Sequence, residues 1–282
     1  MTSKISVVIN TLNEENNLPN ALKSVMTWAD EIIVVDMYSE DRTVEIAKKY
    51  GARVYYHERV GFVEPARNYA IKQAKYEWIL ILDADEMVPF ELSKRLQEIA
   101  FKDEADVVAL PWLNFLLGAP IMHTSWGPEQ DNHKRFFKKN KFIVPDQIHG
   151  ILKPVTVARL LKLSYSSGMA VVHFNYLDSS HFIEKLNRYT TIEATQAFES
   201  NNHSSFIVML KSTLKEFLIR YLKHQGYRDS WRGFYLSIYM MFYRVVVQAK
   251  LKELEEVGDR TSIQQLYDAE AEIILEGYNS RG

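Results

Sequence analysis

Asp83-Ala84-Asp85-Glu86 directly follows an almost wholly apolar run, Trp78–Leu82. Side chains along a strand repeat every second residue, so a strand carried through this point puts Asp83 and Asp85 on one face. Two carboxylates facing the same way repel each other unless a positive charge lies between them. Mg²⁺ or Mn²⁺ meets that need, because hard divalent ions take carboxylate oxygens and leave positions for substrate phosphates. The alternative is a solvated acidic turn in which Asp85 or Glu86 caps a helix starting near Pro89. Asp36 ends a second apolar run, Ile32–Val35, and a carboxylate there can accept hydrogen bonds from a uracil ring or a ribose. Ser39 and Asp41, just beyond it, suit capping of the next helix. Thr11, Asn13 and Glu14 follow the first apolar run and can touch the same nucleotide, and Asn13 also suits a cap. Arg67, at a helix start, can pair with a phosphate or with a surface carboxylate.

These residues need elements to hold them at one edge. Ile5–Ile9, Ile32–Val35, Ala52–Tyr56 and Trp78–Leu82 read as strands, and Glu15–Trp28, Arg42–Tyr50 and Val63–Ala74 read as helices between them. Apolar strands alternating with amphipathic helices indicate an α/β fold with a parallel sheet covered on both faces. Right-handed crossovers then bring every strand's carboxyl end to one edge, where ligands of such sheets bind. Beyond this region Val107–Leu110, Arg135–Phe137 and Met169–Phe174 read as strands of a mixed edge. From about Ser180 the pattern is helical: His181–Glu199, Ser205–His224, Trp231–Leu254 and Ser262–Leu275. The expected organisation is therefore a catalytic domain over 1–179 and a helical region over 180–282.

Composition excludes several classes. With 282 residues, 47% of them hydrophobic, the chain can bury a large core. A net charge of −2 argues against nucleic acid as a partner, since a surface that tracks phosphates carries basic excess. The absence of cysteine excludes disulfides, thiolate metal sites and a cysteine nucleophile. Met1–Asn10 lacks the apolar length of a secretory signal. The most apolar helical stretch, Phe234–Ala249, contains Arg244 and reads as a buried or interfacial helix rather than a membrane span. A cytoplasmic protein is expected.

Taken in order, Ile5–Glu15, the segment Ile33-Val34-Val35-Asp36 with Ser39-Glu40-Asp41-Arg42-Thr43, Gly61 with Ala66-Arg67-Asn68, and Trp78–Glu86 resemble family-2 glycosyltransferases. The resemblance is strongest to bacterial enzymes that build lipopolysaccharide core or related surface glycans. It is tight over the N-terminal third and looser to about Thr190. It implies a GT-A (Rossmann-like) fold, an inverting mechanism, and Mg²⁺ or Mn²⁺ held by Asp83 and Asp85. It also implies a nucleotide diphosphate sugar as donor, UDP before GDP, and a glycan or lipid-linked acceptor. Asp131-Asn132-His133-Lys134-Arg135-Phe136-Phe137 resembles the family's Asp-x-Gln-x-Arg-x-Phe block, with His133 in place of glutamine. On that match Asp131 is the base that deprotonates the acceptor hydroxyl, Glu129 is its rival, and Arg135 holds a pyrophosphate oxygen. The other reading has Asp131 paired with Arg135 or Lys134. His149 falls where the family tends to have His-Glu, without the glutamate. His173 resembles a histidine that approaches the metal or diphosphate; a hydrogen-bonded core histidine is the alternative. Met37-Tyr38 departs from the small residues usual after the second strand's aspartate, and the region His123–Gly127 is also unusual.

The C-terminal helices interleave aromatics such as Phe217, Tyr221, Trp231 and Phe234 with Lys211, Lys215, Lys223 and Arg232. That mixture suits a peripheral contact with the inner face of an anionic membrane, or a helical cap that fills a core or a homo-oligomer interface. Two other functions share some of these features. A sugar nucleotidyltransferase normally has a glycine-rich basic loop after its first strand, and Asn10–Glu15 contains neither glycine nor a basic residue. A non-catalytic membrane-associated scaffold has no need of Asp83, Asp85 and Asp131.

Overall fold

In the computed structural model, which describes residues 3–59, 64–143 and 153–279, the chain falls into two units, Met1–Asn175 and Tyr176–Gly282. Gly61 and His149 lie outside the described residues. The first unit begins with β1 (Ile5–Thr11), buried along its whole length. It continues through α1 (Leu18–Val25), β2 (Glu31–Asp36), α2 (Thr43–Lys49), β3 (Arg53–Tyr56), α3 (Glu64–Gln73), β4 (Trp78–Asp83), β5 (Glu86–Met87) and α4 (Phe90–Lys102). Then come β6 (Val107–Leu116), β7 (Ala119–Pro120), β8 (Asn132–Lys138), β9 (Phe142–Ile143), β10 (Lys153–Pro154), β11 (Leu160–Lys162) and β12 (Val171–Tyr176).

The main sheet has the order β3-β2-β1-β4-β8-β6-β12-β5, with β7 and β11 also paired to β6. β1 to β4 are mutually parallel where they pair, whereas β8 runs antiparallel to both β4 and β6. This is the mixed α/β sheet flanked by helices that the resemblance implies. Alternation along the strands divides the core into two layers. Ile5, Val7, Ile9, Leu80 and Leu82 pack with Leu18, Leu22, Leu92 and Leu96 of α1 and α4 on one face. Val8, Ile33, Val35, Ile79 and Ile81 pack with Ala66 and Ala70 of α3 on the other. Burial on both faces is why these strands read as unbroken apolar runs.

Two departures from the sequence expectations bear on the site. β4 ends at Asp83, and Ala84-Asp85 form a turn into β5, so Asp83 and Asp85 do not sit on one continuous strand. The expected strand at Val107–Leu110 runs on to Leu116. Pro111 reads as a strand end because it lacks an N–H, but it falls where the register with β8 ends, opposite Asn132. The Trp112 N–H then donates to the Asp131 carbonyl at 2.9 Å. A register shift between Val108 and Ala109 pairs them with Phe136 and Lys134 and leaves Arg135 as the extra residue. A bulge of this kind re-aims the side chain it carries.

The second unit is helical: α5 (Ser179–Glu199), α6 (Phe206–Phe217), α7 (Ser230–Glu256) and α8 (Arg260–Asn279). The expected helix Ser205–His224 changes at Leu218 into a π-helical turn that ends at Lys223. Asp178 caps α5 by accepting the His181 amide at 2.8 Å. The Tyr239 hydroxyl donates to Ser179 Oγ at 2.8 Å and the Tyr243 hydroxyl to Glu193 at 2.6 Å, joining α7 to α5. Arg244 pairs with Glu193 of α5 and Glu216 of α6, which explains a charged residue inside an otherwise apolar stretch. Among the described residues no helix is long and apolar enough to cross a membrane.

Candidate functional site

The polar residues after β1 and β2 are bound mainly to each other. Asp36 is fully buried. Its Oδ1 accepts from Thr11 Oγ1 at 2.9 Å and Ser39 Oγ at 2.6 Å, and its Oδ2 accepts the Ser39 amide at 2.8 Å. Thr11 is likewise buried. These bonds tie the ends of β1 and β2 together and shape the loop between them. The Asn13 amide donates to Ser39 Oγ and its Oδ1 accepts the Glu40 amide, both at 2.8 Å. The Glu14 amide donates to Thr43 Oγ1 at 2.8 Å, while its carboxylate accepts from Asn17 Nδ2 at 2.9 Å. Asn13 is thus a cross-loop tie and not a cap; Asn17 occupies the cap position of α1. Asp41 accepts the Thr43 amide at the start of α2, the capping expected for it, and also the Glu15 amide.

At the end of β4 the positive charge that Asp83 requires is supplied by the protein. Arg67 Nη2 from α3 donates to Oδ1 at 2.7 Å, and Arg135 Nη2 from the β8 bulge donates to Oδ2 at 3.1 Å. Burial opposes ionisation of Asp83, but the charges of Arg135 and Arg67 outweigh it and hold the carboxyl well below the usual carboxylate range. Each oxygen thus accepts from one guanidinium and keeps a further lone pair, so in this arrangement Asp83 anchors two arginines at the strand end. Arg67 is buried against that carboxylate and is no surface ion pair.

Glu86 lies behind this cluster. Its Oε2 accepts the Asp83 amide and its Oε1 accepts from Trp112 Nε1, both at 2.7 Å. Burial and the neighbouring Asp83 charge push its carboxyl up. It caps no helix: Pro89 occupies the cap position of α4 with no side-chain bond.

Asp85 faces His173, with Nε2 3.4 Å from Oδ2. His173 Nδ1 lies 2.8 Å from Asn114 Oδ1. Asn114 Nδ2 is committed to two acceptors, Asp131 Oδ2 at 2.7 Å and the Trp126 carbonyl at 3.1 Å. That fixes the amide orientation and makes Nδ1 of His173 the donor. Protonated at Nε2 as well, His173 faces the Asp85 carboxylate with a second N–H; loss of that proton leaves an Nε2 lone pair beside the carboxylate. Burial lowers the His173 pKa, but the Asp85 hydrogen bond and the Glu86 and Asp85 charges outweigh it and raise it. Asp131 completes the chain: its Oδ1 lies 2.8 Å from His133 Nε2. The alternative pairing of Asp131 with Arg135 or Lys134 is not seen. Glu129 is exposed, and its carbonyl accepts from Asn132 Nδ2.

Asp85 and His173 offer one carboxylate oxygen set and one imidazole nitrogen, a donor pair that fits a divalent ion completing its shell with diphosphate oxygens and water. Among the described residues no group of three or more His, Cys, Asp or Glu is placed to hold a metal. Asn114, Trp112 and the inner role of Glu86 escaped sequence reasoning. Asn114 carries one faint signal, a lone amide in the apolar run Val107–Leu116.

Residues 6–159 match the family model described as glycosyl transferase family 2. The chain belongs to this family. It is 27% identical over 266 residues to an uncharacterized glycosyltransferase of Rickettsia bellii, covering 90% of this chain and 88% of that protein. It is 25% identical over 271 residues to the lipopolysaccharide core biosynthesis glycosyltransferase LpsC of Rhizobium meliloti, covering 92% and 96%. Among solved structures it is similar to S. aureus TarS 1–349 in complex with UDP, at 19% identity and a TM-score of 0.48, covering 90% of each chain. As a family-2 glycosyltransferase the chain transfers glycosyl groups, and the family match spans Asp36, Asp83, Asp85 and Asp131.

Proposed function

We propose that this glycosyltransferase moves a sugar from a UDP-sugar to a hydroxyl of a lipopolysaccharide-core or related surface glycan, with inversion at the anomeric carbon. The acceptor class rests on the near full-length similarity to LpsC. The observation that carries the mechanism is the run of polar contacts His133–Asp131–Asn114–His173–Asp85, two of them hydrogen bonds and two histidine–carboxylate pairs. It holds a carboxylate base at one end and a cation-binding pair at the other.

In this mechanism Asp131 takes the proton of the acceptor hydroxyl as its oxygen bonds to the anomeric carbon. The bond from that carbon to the diphosphate oxygen breaks, and the nucleoside diphosphate leaves from the opposite face. Asn114 and His133 orient the Asp131 oxygens. Mg²⁺ or Mn²⁺ held by Asp85 and His173 would neutralise the charge developing on the departing diphosphate. Arg67 and Arg135 keep Asp83 ionised and present a positive edge to the same phosphates. The test is NMR of the product formed from a panel of α-linked UDP-sugars and truncated lipopolysaccharide. A β-linked product is expected; an α-linked product contradicts the assignment of Asp131.

A lipid-borne acceptor also accords with α6. Phe206, Leu210 and Leu214, at four-residue spacing, continue into Leu218 and Leu222, and all five are exposed. Lys211 and Lys215 lie on the same helix. Such a stripe with basic neighbours suits peripheral contact with anionic lipid. Co-sedimentation with vesicles containing anionic lipid, weakening as salt rises, is expected; protein left wholly in the supernatant would count against it.

A further inference from the structure

Tyr38 combines three features. Its side chain is 59% exposed. Its backbone has φ of +59°, a region costly for a bulky residue and free of strain for glycine. Its ring stacks on Tyr56 with centroids 5.6 Å apart and planes 24° apart, and Tyr56 itself is 45% exposed. Strained conformations persist where the surroundings enforce them, and they cluster at ligand sites. The surroundings here do enforce it. Asp36 holds both the amide and the hydroxyl of Ser39, and Asn13 Oδ1 holds the Glu40 amide. The backbone beside Tyr38 is pinned while its ring stands out at the carboxyl edge of the sheet.

The position of this ring pair suits one part of a nucleotide. Tyr56 ends β3 opposite Asp36, and Tyr38 follows β2 by two residues. From β2 to β4, where Asp83 holds Arg67 and Arg135, is two strand spacings, about 10 Å. That span is comparable with the reach from the base to the diphosphate of a nucleoside diphosphate. Asn10 lies between them on β1, opposite both Val35 and Asp83. Its side chain is buried, and among the described residues neither its Oδ1 nor its Nδ2 has a hydrogen-bond partner. A buried carboxamide left unpaired is costly, and a ribose hydroxyl would satisfy both atoms. Asp36 and Thr11, hydrogen-bonded to each other, are buried beneath the loop that carries Tyr38.

We propose that Tyr38, backed by Tyr56, is the platform on which the donor's nucleobase stacks, with Asn10 beneath the ribose. This rests on the nucleotide-donor reading above. Stacking of a base on an aromatic side chain is sequence-tolerant, so the platform supplies affinity, and discrimination among bases falls to the groups around it.

The test is calorimetric titration of UDP, and separately of inorganic pyrophosphate, each with Mn²⁺, into wild type, Tyr38→Gly and Tyr38→Phe. Glycine relieves the positive φ, so the variant should unfold at a temperature no lower than wild type. Tyr38→Gly should weaken UDP by roughly 10- to 100-fold with pyrophosphate unchanged, and Tyr38→Phe should match wild type. UDP binding by Tyr38→Gly at wild-type strength overturns the platform, as does an equal loss of pyrophosphate. Wild type that binds pyrophosphate but not UDP, or neither, overturns the donor reading itself.

Discussion

Asp131→Asn is expected to lower the rate of sugar transfer by roughly 10²- to 10⁴-fold, the usual worth of a positioned general base, while UDP binding stays at the wild-type level. The substitution keeps the size of the side chain and an oxygen to accept from Asn114, whose Nδ2 now lies 2.7 Å from Oδ2. What it removes is the ability to take a proton. His133 cannot stand in, because in this arrangement its Nε2 faces the carboxylate at 2.8 Å and serves to orient it. Glu129 is exposed and directs only its backbone carbonyl toward Asn132, so Glu129→Gln should transfer at close to the wild-type rate. The measurement is UDP release with truncated lipopolysaccharide as acceptor. Transfer by Asp131→Asn within tenfold of wild type would remove Asp131 from the role of base.

Asp83→Ala is expected to cost about 3 kcal/mol of stability, at the lower end for breaking a buried ion pair by removing one partner. The lower end is appropriate because the Asp83 side chain is 29% exposed while those of Arg67 and Arg135 are 8% and 14% exposed. Without the carboxylate, the two guanidinium groups lose the counter-charge they share at the end of β4. Asp83→Asn should cost less than alanine, since the amide oxygen still accepts one guanidinium. Urea unfolding checks both variants. A midpoint for Asp83→Ala equal to wild type would mean that the arginines have other adequate partners.

The parts of this fold that were legible in the sequence are those whose burial is one-dimensional. β1, β2 and β4 are buried on both faces, and their apolar runs announce them. Their ends shifted by one or two residues because Thr11, Glu31, Asp36 and Asp83 are polar yet remain in the ladder, each with a side-chain partner. The motif residues around Asp83, Asp85 and Asp131 were visible as types and spacings. Their partners were not. Arg135 meets Asp83 across 52 positions only because a bulge in β8 turns it inward. Asn114 meets Asp131 and His173 only because β6 continues past Pro111. No local pattern reveals that Asp36 accepts from Thr11, 25 positions earlier, as well as from Ser39. Long-range pairing of this kind is a property of the packed sheet, and periodicity carries no trace of it.

The most direct measurement is calorimetric binding of UDP, with and without Mn²⁺, to wild type and to Asp85→Ala. The donor site described here predicts binding by wild type that is strengthened by Mn²⁺ and a loss of that strengthening in Asp85→Ala, with the fold retained. Binding of UDP that is indifferent both to Mn²⁺ and to Asp85 would contradict it, and would leave Arg67 and Arg135 as the groups that neutralise the diphosphate without a metal.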